Sequence, residues 1–290
     1  MTNTKLSTIV AGTMNWGIWD KNLSVSEMEN MIHICIENEI TTFDHADIYG
    51  AYTTEAQFGM AFHESKIERE KLQLISKCGI QLLAENRNNV IKHYNYDKDY
   101  IIWSVENSLK NLKTDYLDVF LLHRPSPLMQ ADEIAEAIEK LKSEGKIIGF
   151  GLSNFTSSQT ELIRQKTTIS YNQIQFSATH FEPMTDGSLD YMQINKIRPM
   201  SWNPLGNVFR EDNEQTRRMK ILLAKLVEKY HFGADTILLS WILQHPAKVI
   251  PIAGTVNVAR IQSLMKATTL ILDKEDWFAI WTAGRGKEVA

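Results

Sequence analysis

Short runs of mostly apolar residues alternate along the whole chain with longer stretches in which apolar residues recur every three or four positions. The short runs fall at 7–10, 40–43, 73–76, 117–122, 147–152, 170–175, 198–202 and 249–252. Each is of strand length with few polar positions, as in strands buried on both faces. In the longer stretches, Ile134, Ala137, Ile138 and Leu141 stand at i, i+3, i+4 and i+7 with acids and lysines opposite. That spacing predicts a helix with one buried face. Residues 26–38, 100–112, 157–166 and 216–230 behave the same way, and Gly145 predicts a helix C-terminus before the next strand. An extra helix is expected at 233–245. A last one is expected at 273–282, with Asp273 as its N-cap.

Strands that alternate with helices must pair in parallel, because each crossover returns the chain to the same end. Eight such units in one chain of this length predict a (β/α)8 TIM barrel, a single α/β domain over 1–290. A doubly wound open sheet is the alternative. Its glycine-rich turn is missing: Gly12-Thr13-Met14-Asn15-Trp16-Gly17 follows the first strand instead.

Composition narrows the function more than the fold. The 290 residues are 43% hydrophobic and 23% charged, enough for a large core. A net charge of −4 with no basic patch gives no reason to expect a nucleic-acid partner. Cys35 and Cys78 match neither a disulfide framework nor a zinc site, so they are expected to be small buried hydrophobes in a reducing, cytoplasmic setting. There is no apolar run of about 18 residues, so no membrane span is expected. The opening residues lack the charged and apolar regions of a leader.

In (β/α)8 barrels the chemistry sits where the strands end. Those positions hold Gly12, Asp44, Lys77, His123, Ser153, Gln173, Trp202 and Gly254, a far more polar set than the strand interiors. Asp44 follows a buried strand, and Tyr49 comes after one short polar turn. A carboxylate and a phenol so placed suit a cleft rather than a core. Tyrosine, with a pKa of about 10, is a weak proton donor at neutral pH. A nearby ammonium such as Lys77 is expected to lower that value, and Asp44 to keep the lysine charged and oriented. His123 can hydrogen-bond a carbonyl oxygen. Together the four predict proton delivery to the alkoxide that forms when a carbonyl accepts hydride, a small-molecule reaction.

The segments FDHADIYG, ISKCGI, LLHRP, GKIIGFGLSNF and YNQIQFS, in that order, resemble those of the aldo-keto reductases, in particular the short bacterial oxidoreductases. The resemblance covers essentially the whole chain. It implies an NADPH-dependent carbonyl reductase with Asp44, Tyr49, Lys77 and His123 as the catalytic tetrad. It also implies nicotinamide contacts from Ser153, Asn154 and Gln173, with Trp202 stacked on the ring where the family more often has tyrosine. By the same resemblance, Asn203-Pro204-Leu205-Gly206 covers the pyrophosphate, Gly12-Thr13-Met14 lines the dinucleotide, and Gly254, Thr255, Asn257 and Arg260 lie at the adenosine 2′-phosphate. Many members carry lysine where Gly254 stands, and adenine contacts where Ser263 and Leu264 stand. Relative to other members, the amino-terminal hairpin is expected to be short or missing and the long carboxy-terminal loop absent. Trp16, Trp19 and Tyr52 are candidates for an aromatic substrate pocket. Two rival readings remain. Some proteins of this family sense nicotinamide as regulatory subunits, and a barrel lysine such as Lys77 could instead form a Schiff base.

Overall fold

The computed structural model describes residues 5–290. Eight parallel strands close into a barrel: β1 (Val10–Gly12), β2 (Thr42–Asp44), β3 (Gln73–Cys78), β6 (Leu117–Leu122), β7 (Ile147–Ser153), β8 (Tyr171–Gln175), β9 (Arg198–Trp202) and β10 (Ile250–Ala253). The remaining pair, β4 (Ile80–Gln81) and β5 (His93–Tyr94), forms a small antiparallel ribbon in the loop after β3. Around the barrel the order is β1-β10-β9-β8-β7-β6-β3-β2, which brings the first and last strands together through Val10 opposite Ile252. The predicted runs at 117–122 and 198–202 are strands over those same residues. The run expected at 7–10 is shifted to Val10–Gly12, because pairing begins only at Val10. The expected lack of an amino-terminal hairpin or leader falls partly on residues 1–4, which lie outside the described residues.

Side chains alternate between the two faces of a strand, and this sorts the core into two layers. Val10, Ile75, Val119, Leu121, Tyr171, Met200, Ile250 and Ile252 pack inside the barrel. The alternate residues of the barrel strands, among them Ala11, Phe43, Leu74, Phe120, Leu122 and Leu152, point outward into the layer shared with the helices. Two residues beyond an interior position is again an interior position. Gly12, Lys77, His123, Gln173, Trp202 and Gly254 therefore continue the inward-facing rows of Val10, Ile75, Leu121, Tyr171, Met200 and Ile252. Asp44 follows the outward Phe43, and Ser153 the outward Leu152, so both also belong to the interior face. The polar residues at the strand ends are the topmost layer of the barrel's own filling.

Most predicted helices are present, including Val25–Glu37, Lys98–Leu112, Ala131–Ser143 and Glu214–Tyr230. Gly145 has φ +71 just past the end of Ala131–Ser143, the left-handed position expected of it. Asp273 precedes the last helix, Lys274–Arg285, but does not cap it with its side chain: the carboxylate pairs with Lys229 at 2.7 Å. The structure adds a helix at Thr54–Ser65, whose buried face includes Thr54 and Glu55. Polar residues on the inner face blur the apolar period there. No helix among the described residues is long and apolar enough to cross a membrane. Cys35 and Cys78 are free and buried.

Candidate active site

Lys77 is the centre of the site. Its side chain has no exposed surface, and its ammonium donates to Asp44 Oδ2 at 2.8 Å, the main-chain oxygen of His45 at 2.7 Å and Tyr49 Oη at 3.1 Å. Three donors thus meet three acceptors, as a buried ammonium requires. The other carboxylate oxygen of Asp44 accepts from Gln173 Nε2 at 3.0 Å. His123 faces Tyr49 edge-on, with ring centroids 6.0 Å apart. The main chain holds these groups in register: His45 N–H donates to Ile75 O, Asp47 N–H to Lys77 O and His123 N–H to Cys78 O. After Tyr49 the chain runs through left-handed backbone at Gly50, Ala51 and Tyr52, with φ +57, +52 and +70. Such conformations are costly away from glycine and cluster at functional sites. Thr53 Oγ1 donates to Gly50 O and helps close the turn.

Burial pulls the Lys77 ammonium down, but Asp44 and Tyr49 outweigh it and hold the group above the usual lysine range. Tyr49 differs from the expectation of a lowered pKa. Burial pushes its phenol above the usual value, and the opposing charge of Lys77 does not cancel this. Tyr49 is therefore protonated at neutral pH, ready to give a proton and weakly acidic until charge develops next to it. Burial and the charges of Lys77, Arg124 and Lys92 push His123 well below its usual range, so its imidazole is neutral. His45 is lowered to about 3 by burial and Lys77.

Beside this cluster lie the residues assigned to the nicotinamide. Trp202 Nε1 donates to Asn154 Oδ1 at 2.8 Å, and Asn154 Nδ2 donates to Ser153 Oγ at 2.8 Å. Asn154 itself has φ +63, and its main-chain N–H donates to Gln173 O. The 203–206 segment is a tight turn closed by Gly206 N–H to Asn203 O, with left-handed backbone at Asn203 and Gly206. A Cβ on Gly206 would sit 2.0 Å from Thr179 Oγ1, so Gly206 meets both a conformational and a steric requirement there. At the β10 end, Asn257 Oδ1 caps the helix Val258–Leu264 by accepting from Arg260 N–H, and Thr255 Oγ1 accepts from Asn257 N–H. The Arg260 side chain is exposed, as are Gly254 and Met14.

Two sequence assignments change. Thr13 has no exposed surface: its hydroxyl donates to Asp44 O and meets His45 Nδ1 at 2.9 Å. It braces the strand end that carries Asp44 and does not line a groove. Trp16 is 1% exposed and packs on Phe43 and Phe58, because its position faces the helix layer. It is core and not substrate pocket. Trp19 is 43% exposed, with its ring edge-on to Tyr49 at 6.1 Å, and stays at the mouth. Tyr52 also stays there, its hydroxyl accepting from Leu82 N–H and its ring under Arg87. The sequence reading missed the third partner of Lys77, the His45 carbonyl, because a main-chain oxygen has no signature of its own. Tyr96 was also missed. Its hydroxyl grips the main chain of Arg124, and only its aromatic character in a loop hinted at a role.

A closed parallel barrel whose strand-end lysine is bonded to both a strand-end acid and a loop tyrosine has the polar strand-end site of a barrel enzyme. The aldo/keto reductase family model matches residues 8–283, and the chain belongs to that family of NAD(P)H-dependent oxidoreductases. It is 40% identical over 280 residues to the uncharacterized oxidoreductase YcsN of Bacillus subtilis, covering 94% of this chain and 93% of that one. It is 35% identical over 289 residues to a 6-dehydroglucose reductase of Agrobacterium fabrum, covering 99% and 97%. Its fold is similar to that of a thermostable aldo-keto reductase crystallised with the inhibitor epalrestat, with TM-score 0.83, 25% identity and 97% of each chain covered.

Proposed function

We propose that this protein reduces an aldehyde or ketone to the alcohol with NADPH, and that Tyr49 gives the proton. The supporting observation is the buried Lys77 ammonium shared between Asp44 and the Tyr49 hydroxyl. When bound, the cofactor supplies a hydride to the carbonyl carbon. Tyr49 Oη donates to the carbonyl oxygen as negative charge builds there, and Lys77 stabilises the phenolate left behind. Asp44 keeps Lys77 charged and aimed. His123, half-buried and neutral, can donate one hydrogen bond to the same oxygen and orient the substrate. A Schiff-base role for Lys77 is disfavoured, because an ammonium held above its usual pKa is a poor nucleophile.

The residues present fit a nicotinamide. Trp202 offers an indole face to a flat ring. Gln173 Nε2 is engaged by Asp44, so its oxygen is left to accept from the carboxamide, while Asn154 and the Ser153 hydroxyl can both donate and accept. Absorbance decay of NADPH with 4-nitrobenzaldehyde tests the proposal. Steady turnover supports a reductase. Tight cofactor binding without turnover across a panel of aldehydes and ketones would instead favour a nicotinamide-sensing subunit.

Arg260 supports a preference for NADPH over NADH. The two cofactors differ by one 2′-phosphate, and a guanidinium pairs with phosphate through two parallel hydrogen bonds. Arg260 is exposed and unpaired by any carboxylate among the described residues, with Thr255 and Asn257 beside it. A charge-assisted contact is worth roughly 1.5–3 kcal/mol, about ten- to a hundredfold in affinity. Arg260→Ala should weaken NADPH by about that factor and leave NADH nearly unchanged. Fluorescence titration of both cofactors checks this, and equal losses for the two would show that Arg260 does not read the phosphate.

A further inference from the structure

The mouth of the site carries positive charge that the tetrad does not use. Arg124 directly follows His123 on the loop after β6. Its main chain is held on both sides by one hydroxyl: Tyr96 Oη accepts from Arg124 N–H at 3.1 Å and donates to Arg124 O. Tyr96 is itself 5% exposed and lies against Gly79, where a Cβ would fall 2.1 Å from its ring. The backbone of Arg124 is therefore fixed, and among the described residues its side chain meets only the face of Trp202. The guanidinium carbon stands 5.8 Å from the centre of the Trp202 ring, and the group has no ion pair or hydrogen bond to any described residue. Lys92, exposed on the segment between β4 and β5, has no ion pair among the described residues either. The charges felt at His123 are those of Lys77, Arg124 and Lys92, all positive. This local excess runs against the net charge of −4 of the whole chain.

Lys77 is neutralised by Asp44, which leaves Arg124, beside Trp202, as an uncompensated cation at the proposed carbonyl site, with Lys92 close enough for its charge to act on His123. An arginine on a fixed main chain, next to an aromatic wall and without a protein carboxylate, is set up for a planar anion. We infer that the physiological carbonyl substrate carries an oxyanion group, a carboxylate in the simplest case. Arg124 binds that group with Lys92 alongside, while the carbonyl end reaches Tyr49 and His123. Arg124 is then the specificity-determining residue, and the paired cations also draw such substrates to the mouth.

This inference rests on the reductase reading, and the test separates the two. The matched probes are 4-formylbenzoate and its methyl ester, which share the aldehyde and ring and differ in charge; 4-formylbenzenesulfonate serves as a second anion. In the wild type, kcat/KM with NADPH should favour 4-formylbenzoate over the ester by at least about tenfold. That ratio should collapse toward one in Arg124→Met, fall partly in Lys92→Met, and be partly rescued in Arg124→Lys. High salt should shrink it as well. Preference for the carboxylate over the sulfonate would identify a carboxylate-shaped site, and equal preference a general oxyanion site. Both support the inference. A wild-type ratio near one, or a ratio unmoved by Arg124→Met, overturns it while leaving the reductase reading intact. Failure of every probe to turn over would instead count against that reading. Calorimetric titration of 4-formylbenzoate and the ester into wild type and Arg124→Met then decides the anion site by itself. Binding selective for the anion and lost in the variant supports it, and absence of such selectivity overturns it.

Discussion

Tyr49→Phe is expected to lower carbonyl-reduction turnover by about a hundredfold or more, the usual contribution of a positioned general acid. The substitution removes one oxygen from a side chain that is 8% exposed and keeps the ring packed near Trp19 and His123. Lys77 loses one of three acceptors and retains Asp44 and the His45 carbonyl. The ammonium therefore stays paired, and the fold should be little disturbed. The nicotinamide residues Asn154, Gln173 and Trp202 do not touch the hydroxyl, so NADPH affinity should stay within about twofold of the wild type on the scale where 1.4 kcal/mol is tenfold. Single-turnover reduction of 4-nitrobenzaldehyde, with cofactor titration in parallel, measures both quantities. A variant that reduces the aldehyde at close to the wild-type rate would remove Tyr49 from its role.

The barrel was legible because its strands are buried on both faces, which writes each one as a short apolar run. The candidate site was legible for a related reason. Lys77 and Asp44 interrupt or end such runs, and a charge in the interior row of a barrel strand stands out against Ile75 or Phe43. Side-chain direction was harder to read. Trp16 and Trp19 lie three residues apart in one loop, yet one is core and the other mouth, and nothing in their spacing separates them. The resemblance placed Thr13 on the cofactor groove, whereas the bond that turns its hydroxyl toward Asp44 leaves no mark in the sequence. The sign of the Tyr49 shift was misread because a neighbouring cation can be inferred from sequence, whereas the extent of desolvation depends on the packed structure.

Lys77→Met is expected to abolish measurable turnover and to destabilise the protein. Methionine is close to lysine in length and can fill the same fully buried space, so the loss is of charge more than of volume. The catalytic loss has two parts. The ammonium is the group that draws the Tyr49 hydroxyl toward ionisation against the effect of burial, and in the proposed reaction it would stabilise the phenolate after the proton leaves. Without it, Tyr49 stands still higher above its usual pKa and the developing charge meets no cation. The stability loss comes from Asp44, which would keep a single side-chain donor, Gln173 Nε2, in a site where it is 3% exposed. Removing one partner of a buried pair typically costs about 3–5 kcal/mol, unless the stranded acid takes up a proton. The double variant Lys77→Met with Asp44→Asn separates the two effects. It removes the stranded charge, so denaturant unfolding should show much of the lost stability restored, while turnover should remain absent. A single variant as stable as the wild type would mean that the Asp44–Lys77 pair contributes nothing to the fold. Turnover within about tenfold of the wild type in either variant would mean that Lys77 does not assist the proton transfer.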